Sequence, residues 1–135
     1  MKFSLFILSF AITFCANADP QALRLAKYIG NLNMYDVTFS LVDSKCNTSY
    51  SLTKKQVEKI DKLTLEKTRI SYKRFNSIVG DSELTLEMAQ ESIQPIIDSN
   101  CNSKLLNYWY SKVSKDFNKN LSKLQNEKPT NVQIK

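Results

Sequence analysis

The sequence predicts an all-α protein, a four-helix up-down-up-down bundle closed by one disulfide. Three observations lead there. Apolar residues recur at helical spacing in four segments, the links between those segments are short and polar, and two cysteines fall in links that share one end of such a bundle.

The first eighteen residues stand apart from this pattern. Met1 and Lys2 form a short positive head, residues 3–15 are apolar and uncharged, and Ala16-Asn17-Ala18 places small residues before a cleavage point. That order is a secretory signal, so residues 1–18 are predicted to be removed and the mature chain to begin at Asp19. The apolar run is shorter than the roughly 20 residues of a membrane span, and no second long run follows. The expected destination is the periplasm or the cell exterior. Lipid attachment at Cys15 is disfavoured because Phe14 occupies the place where a lipoprotein signal has a small residue.

Losing Lys2 takes the net charge from +6 to +5. It also removes Cys15 and leaves Cys46 and Cys101, a pair that favours one intramolecular bond in an exported chain, two buried free thiols being the alternative.

The helices are assigned in order. Asp19-Pro20 is a good N-cap and first helical residue. Ala22, Leu25, Ala26, Ile29 and Leu32 then mark one face of a first helix reaching about Val42. Within it, residues 35–41 alternate like a strand and are rich in strand formers, so a small β-hairpin around residues 35–52 is the runner-up. Residues 43–52 form a polar loop carrying Cys46. Thr53-Lys54-Lys55-Gln56 matches a capping box and opens a second helix to about Val79, with Gly80 as its stop. Thr85 caps a third helix to about Asp98, with a kink or early end expected at Pro95. Cys101 lies in the next loop. Ser103 caps a fourth helix over residues 104–125 with the stripe Leu106, Tyr110, Val113, Phe117, Leu121 and Leu124. The helical domain therefore covers residues 19–127, and residues 128–135 form a polar, disordered tail.

The cysteines support this topology independently. Cys46 lies between the first two helices and Cys101 between the last two, and in an up-down bundle both links fall at the same end. The layout resembles the small helical pilotins of type II secretion, exported four-helix proteins whose disulfide joins the end of the first helix to the start of the last. Cys46-Asn47 and Cys101 carry that resemblance, which implies a secretion accessory role. The family is normally lipidated, and the residues before Cys15 depart from it there. Disulfide-bonded immunity proteins of secreted toxins are similar in the same way.

Function classes are narrowed mainly by what the residues cannot do. The chain has no histidine, and with both mature cysteines paired it has no free thiol, so the commonest general base and the best nucleophile are missing. No glycine-rich phosphate loop or metal-ligand spacing is present, and no cofactor is expected. Glu87, Glu91 and Asp98 share a face of the third helix, but three carboxylates on one straight helix seldom encircle an ion. The positive charge attracts phosphate, yet export removes the protein from nucleic acid, and the basic residues of the second helix are interleaved with acids.

The expected function is a non-catalytic, exported protein-binding module such as an immunity protein, an inhibitor or a secretion adaptor. A carrier of a small apolar ligand in the bundle core is the alternative. In a eukaryotic secretory pathway Asn47 and Asn120 would be glycosylation acceptors.

Charge is uneven. Residues 19–80 carry +5, residues 81–103 carry −5 with no basic group, and residues 104–135 carry +5. An acidic third helix lying between basic neighbours would help set the packing order; a docking surface for a charged partner is the other reading. The candidate docking face is the outer side of the fourth helix. Tyr108, Trp109 and Tyr110 are consecutive and cannot all point inward; the stripe sends Tyr110 inward, Trp109 to the flank, and Tyr108 outward among Lys104, Lys112, Lys115 and Lys119. An exposed aromatic in a basic ridge suits an acidic protein surface. The partner-binding set is therefore Tyr108, Trp109, Lys104, Lys112, Lys115 and Lys119.

Overall fold

The computed structural model describes residues 19–79 and 82–130. The predicted signal segment, Gly80 with Asp81, and residues 131–135 lie outside the described residues. Among the described residues the protein is all helical: α1 (Pro20–Cys46), α2 (Lys54–Thr68), α3 (Tyr72–Val79), α4 (Ser82–Asp98) and α5 (Ser103–Asn126).

α1 starts as its sequence dictates. Pro20 occupies the first turn, and the Asp19 carboxylate accepts from the Gln21 N–H at 3.0 Å. The helix does not stop at Val42 but runs to Cys46, where Asn47 takes a left-handed conformation (φ 53°) and ends it. The strand-like segment is thus helical, and the alternative hairpin is not formed. The reason is tertiary. Tyr35, Phe39 and Val42 are spaced three or four apart and line one helical face; Phe39 and Val42 are fully enclosed by the core, with Tyr35 packed against it. The Thr38 hydroxyl donates to the Met34 carbonyl at 2.7 Å, so a β-branched residue sits in the helix without an unpaired polar atom.

The expected second helix is two helices, a correction to the four-helix count. The capping box at its start is formed: Gln56 N–H donates to Thr53 Oγ1 at 3.2 Å and Thr53 N–H to Gln56 Oε1 at 2.8 Å. The break comes at Arg69, which is left-handed (φ 65°) and donates its N–H to the Leu65 carbonyl at 2.9 Å. Two features stabilise it. The Thr68 hydroxyl donates to the Thr64 carbonyl at 2.7 Å and accepts from the Ile70 N–H at 3.2 Å, holding the turn. Asp61 accepts from the Tyr72 N–H at 2.9 Å and Ser71 Oγ from the Arg74 N–H at 3.2 Å, so the first donors of α3 are met by side chains. The break lets α3 change direction and bury Tyr72 and Phe75.

α4 begins at Ser82, earlier than Thr85, which is buried within it. Pro95 does not end the helix, which continues to Asp98. It closes through left-handed Asn100 and Cys101: Cys101 N–H donates to the Ile96 carbonyl and Asn100 N–H to the Ile97 carbonyl, each at 3.0 Å. This double bond pattern positions Cys101. α5 is capped by Asn102, not Ser103, with the Leu105 N–H donating to Asn102 Oδ1 at 3.1 Å.

The disulfide joins Cys46 and Cys101 with Cα atoms 5.5 Å apart. It ties the C-terminal end of α1 to the C-terminal end of α4, so those helices run in the same sense. α5 runs back, and its far end meets the start of α1: Arg24 pairs with Glu127 at 3.3 Å, and Gln21 donates to the Lys128 carbonyl. Thr130 N–H reaches the Lys67 carbonyl at 2.8 Å. The first residues of the expected tail are therefore bonded to α1 and to the end of α2. α1 is the central element, packed most extensively against α4 and α5, while α2 rests on α3, α5 and, lightly, α1.

Closing a loop whose ends are separated by 55 positions stabilises by about 4 kcal/mol in the chain-entropy model. Replacing Cys46→Ser and Cys101→Ser together is expected to lower the unfolding free energy by about that amount. Urea melts of the two proteins check it, and reductant added to the unsubstituted protein gives the same loss.

Candidate functional site on the outer face of α5

α5 is amphipathic, and its inward face is set by what α1 offers. Leu106, Trp109, Phe117 and Leu124 are buried. Phe39 of α1 meets Trp109 and Phe117 edge to face, with ring centroids 6.0 and 6.2 Å apart. Asn31 of α1 donates to Asn120 at 2.9 Å, so the Asn120 side chain is engaged between helices, whereas Asn47 is exposed.

This packing turns α5 slightly from the phase its stripe suggested. Trp109 is 4% exposed and belongs to the core, so its place in the partner-binding set is corrected. Tyr110, expected inside, is 37% exposed. Its ring stacks on Tyr50 at 4.0 Å with 11° between planes, so a loop residue covers it on the flank. Tyr108 is 58% exposed and points outward as expected. Lys104, Lys115 and Lys119 are exposed around it and Lys112 is half-buried. The structure thus brings Tyr108 and the four lysines together on one face and removes Trp109 from it.

Loop residues 47–53 are held against this end of the molecule by Asp43, an anchor that sequence reasoning missed. Its carboxylate accepts from Thr48 Oγ1 at 2.6 Å, from the Tyr50 N–H at 2.7 Å, from the Ser51 N–H at 2.8 Å and from the Ser51 hydroxyl. Burial alone would raise its pKa, but the Ser51 and Thr48 hydroxyls and the two backbone donors together hold it below the ordinary value. The only signal in the sequence was a carboxylate followed by hydroxyl residues in a polar loop.

A second missed feature lies where α1 meets α3. Asp36 is half-buried and its pKa is raised by burial. The buried Tyr72 hydroxyl has no well-formed hydrogen bond among the described residues, with Asn76 its polar neighbour. Burial first, and the Asp36 carboxylate second, raise its pKa, with Asn76 opposing. Tyr35 is pushed up to about 12 by burial and then by Asp116. All three are structural consequences of the burial of α1 and of the start of α3.

Three acidic residues of α4 stay at its surface. Glu87, Glu91 and Asp98 have no ion-pair partner among the described residues; Asp98 accepts from Gln94 at 2.8 Å. No group of three His, Cys, Asp or Glu side chains among the described residues is arranged to hold a metal ion. No helix among them is long and apolar enough to cross a membrane.

These features define a disulfide-closed helical bundle with a basic, aromatic-bearing face on α5 and an acidic face on α4. No protein family, curated protein or solved structure matches the chain.

Two predictions follow from the carboxylates. Asp43→Ala removes four accepted bonds, two from hydroxyls and two from backbone, and is expected to cost about 2–3 kcal/mol in urea melts at pH 7. Because the folded-state pKa of Asp43 is lowered, that contribution is present above its unfolded pKa and is lost as pH falls through the folded one. Asp36 has the opposite sign. Its folded-state pKa is raised, so the carboxylate weakens the fold as pH rises from the unfolded value through the folded one. Asp36→Asn is expected to raise Tm at pH 7 and to leave it unchanged near pH 3, as measured by thermal melts at the two pH values.

Proposed function

We propose that the mature chain, from Asp19, is exported and works as a non-catalytic protein-binding module in the periplasm or outside the cell, docking an acidic protein surface on the outer face of α5. The observation that carries this reading is Tyr108, more than half exposed on a helix where Lys104, Lys115 and Lys119 are exposed too. An exposed ring supplies a large contact area at low entropic cost, and flanking like charges speed encounter with an oppositely charged surface.

Export is supported by the signal-like order of residues 1–18 and by a disulfide, which persists in oxidising compartments. The non-catalytic reading is supported by a chain without histidine whose two mature cysteines are bonded to each other. The edge-to-face packing of Phe39 with Trp109 and Phe117 fills the bundle centre with protein side chains, which favours a binding surface over a carrier of an internal ligand. The link from the end of α1 to the start of α5 is the feature on which the pilotin resemblance rests, and a secretion adaptor is one form of the same binding role.

The test is the double substitution Tyr108→Ala with Lys112→Glu. Loss of a central aromatic contact costs about 2 kcal/mol or more, so affinity for the partner recovered from the native host is expected to fall about 30-fold. Tm should stay within a degree or two, because Tyr108 is exposed. Unchanged affinity, measured by titration calorimetry, overturns the assignment of the face.

A further inference from the structure

We propose that the acidic surface docked by α5 is α4 of a second copy of this chain, laid antiparallel so that Glu83, Glu87, Glu91 and Asp98 face Lys119, Lys115, Lys112 and Lys104 of the other copy. The inference rests on reading α5 as a docking face and names its occupant.

The two rows are complementary in charge and in register. Along α4 the carboxylates are spaced by four, four and seven residues. Along α5, read backwards from Lys119, the ammonium groups are spaced by four, three and eight. Each row spans fifteen residues, roughly 22 Å at the rise of an α-helix. The largest mismatch is one residue, about 1.5 Å, which the flexible lysine stem absorbs. In this register Tyr108 falls opposite Gln94, in the wide gap between Glu91 and Asp98. The parallel alternative pairs the intervals poorly, since the long gap then falls at the wrong end.

Most of both rows is left for an outside partner. Glu87, Glu91 and Asp98, and all four lysines, have no ion-pair partner among the described residues. The two rows cannot meet intramolecularly, because α4 and α5 both turn their apolar sides toward the core and their charged sides away from it. Glu83, Glu87, Glu91 and Asp98 are exposed, as are three of the four lysines.

Since α4 and α5 are themselves antiparallel, the contact keeps both copies in the same sense. Because the two charged faces look to different sides of the molecule, the contact is head-to-tail, and a repeated displacement extends it as a row. Exposed ion pairs contribute about 0–1 kcal/mol each, so the association is weak and strongly salt-dependent.

Sedimentation equilibrium of the mature chain at about 1 mM tests it, in low salt and in about 0.5 M salt, with far-UV spectra confirming that each variant folds. The unsubstituted protein is expected to exceed monomer mass in low salt and to be monomeric in high salt. Glu87→Lys with Glu91→Lys, and separately Lys112→Glu with Lys115→Glu, are each expected to be monomeric in low salt. An equimolar mixture of the two variants is expected to associate again, because each now offers the face the other lacks. A monomeric unsubstituted protein in low salt overturns the proposal, as does association that survives either reversal or a mixture that stays monomeric. If self-association fails while Tyr108→Ala with Lys112→Glu still loses the host partner, the α5 docking face stands and only its occupant is wrong.

Discussion

The apolar stripe of α1 is the surface on which the two longest partners of the bundle rest. Leu25, Ile29, Leu32, Phe39 and Val42 are all but fully buried, each contributing about 1.5–3 kcal/mol of burial. α4 and α5 each pack extensively on that surface and little on one another, running in opposite senses. A central helix enclosed along most of its length has little room for polar groups, which is why Asp36, Thr38 and Tyr35 each carry the mark of burial. The disulfide acts at the end of this helix. It anchors the C-terminal end of α1 to the turn leaving α4, while Arg24, Gln21 and the residues after α5 anchor the other end.

That arrangement has an electrostatic consequence. With α1 between them, α4 and α5 present their charged sides to solvent. Glu87, Glu91 and Asp98 of α4 are exposed and form no ion pair among the described residues, so their charge stands at the surface beside a basic remainder. A molecule of this kind has two complementary faces, and the matched spacing of carboxylates and lysines makes a second copy a fitting occupant. Long-range attraction between such faces is screened over about 8 Å at physiological ionic strength, so local concentration decides how far the copies associate.

The loop of residues 47–53 shows how a few polar atoms organise an apolar contact. Asp43 gathers two hydroxyls and two backbone donors, and that fixes Tyr50 over Tyr110. The stack in turn closes the flank of α5 that its own sequence had assigned to the core. A local hydrogen-bond anchor thus lets a loop cover Tyr110, while Phe39 of α1 buries Trp109.

The sequence by itself determined the helical class, the capping box at Thr53, the cap at Asp19, the pairing of Cys46 with Cys101 and the outward direction of Tyr108. Each rests on short-range chemistry: apolar spacing, a side chain within reach of its own backbone, or links sharing one end of a bundle. Only the tertiary structure decided the rest. The alternating segment at residues 35–41 is helical because Phe39 and Val42 are buried along α1 with no strand beside them. The second helix breaks at Arg69 because Asp61, from within α2, caps α3 and Tyr72 and Phe75 of α3 are buried. Trp109 is buried because Phe39 meets it from another helix. In all three cases two local conformations were close in free energy, and contacts between residues far apart in the chain chose between them.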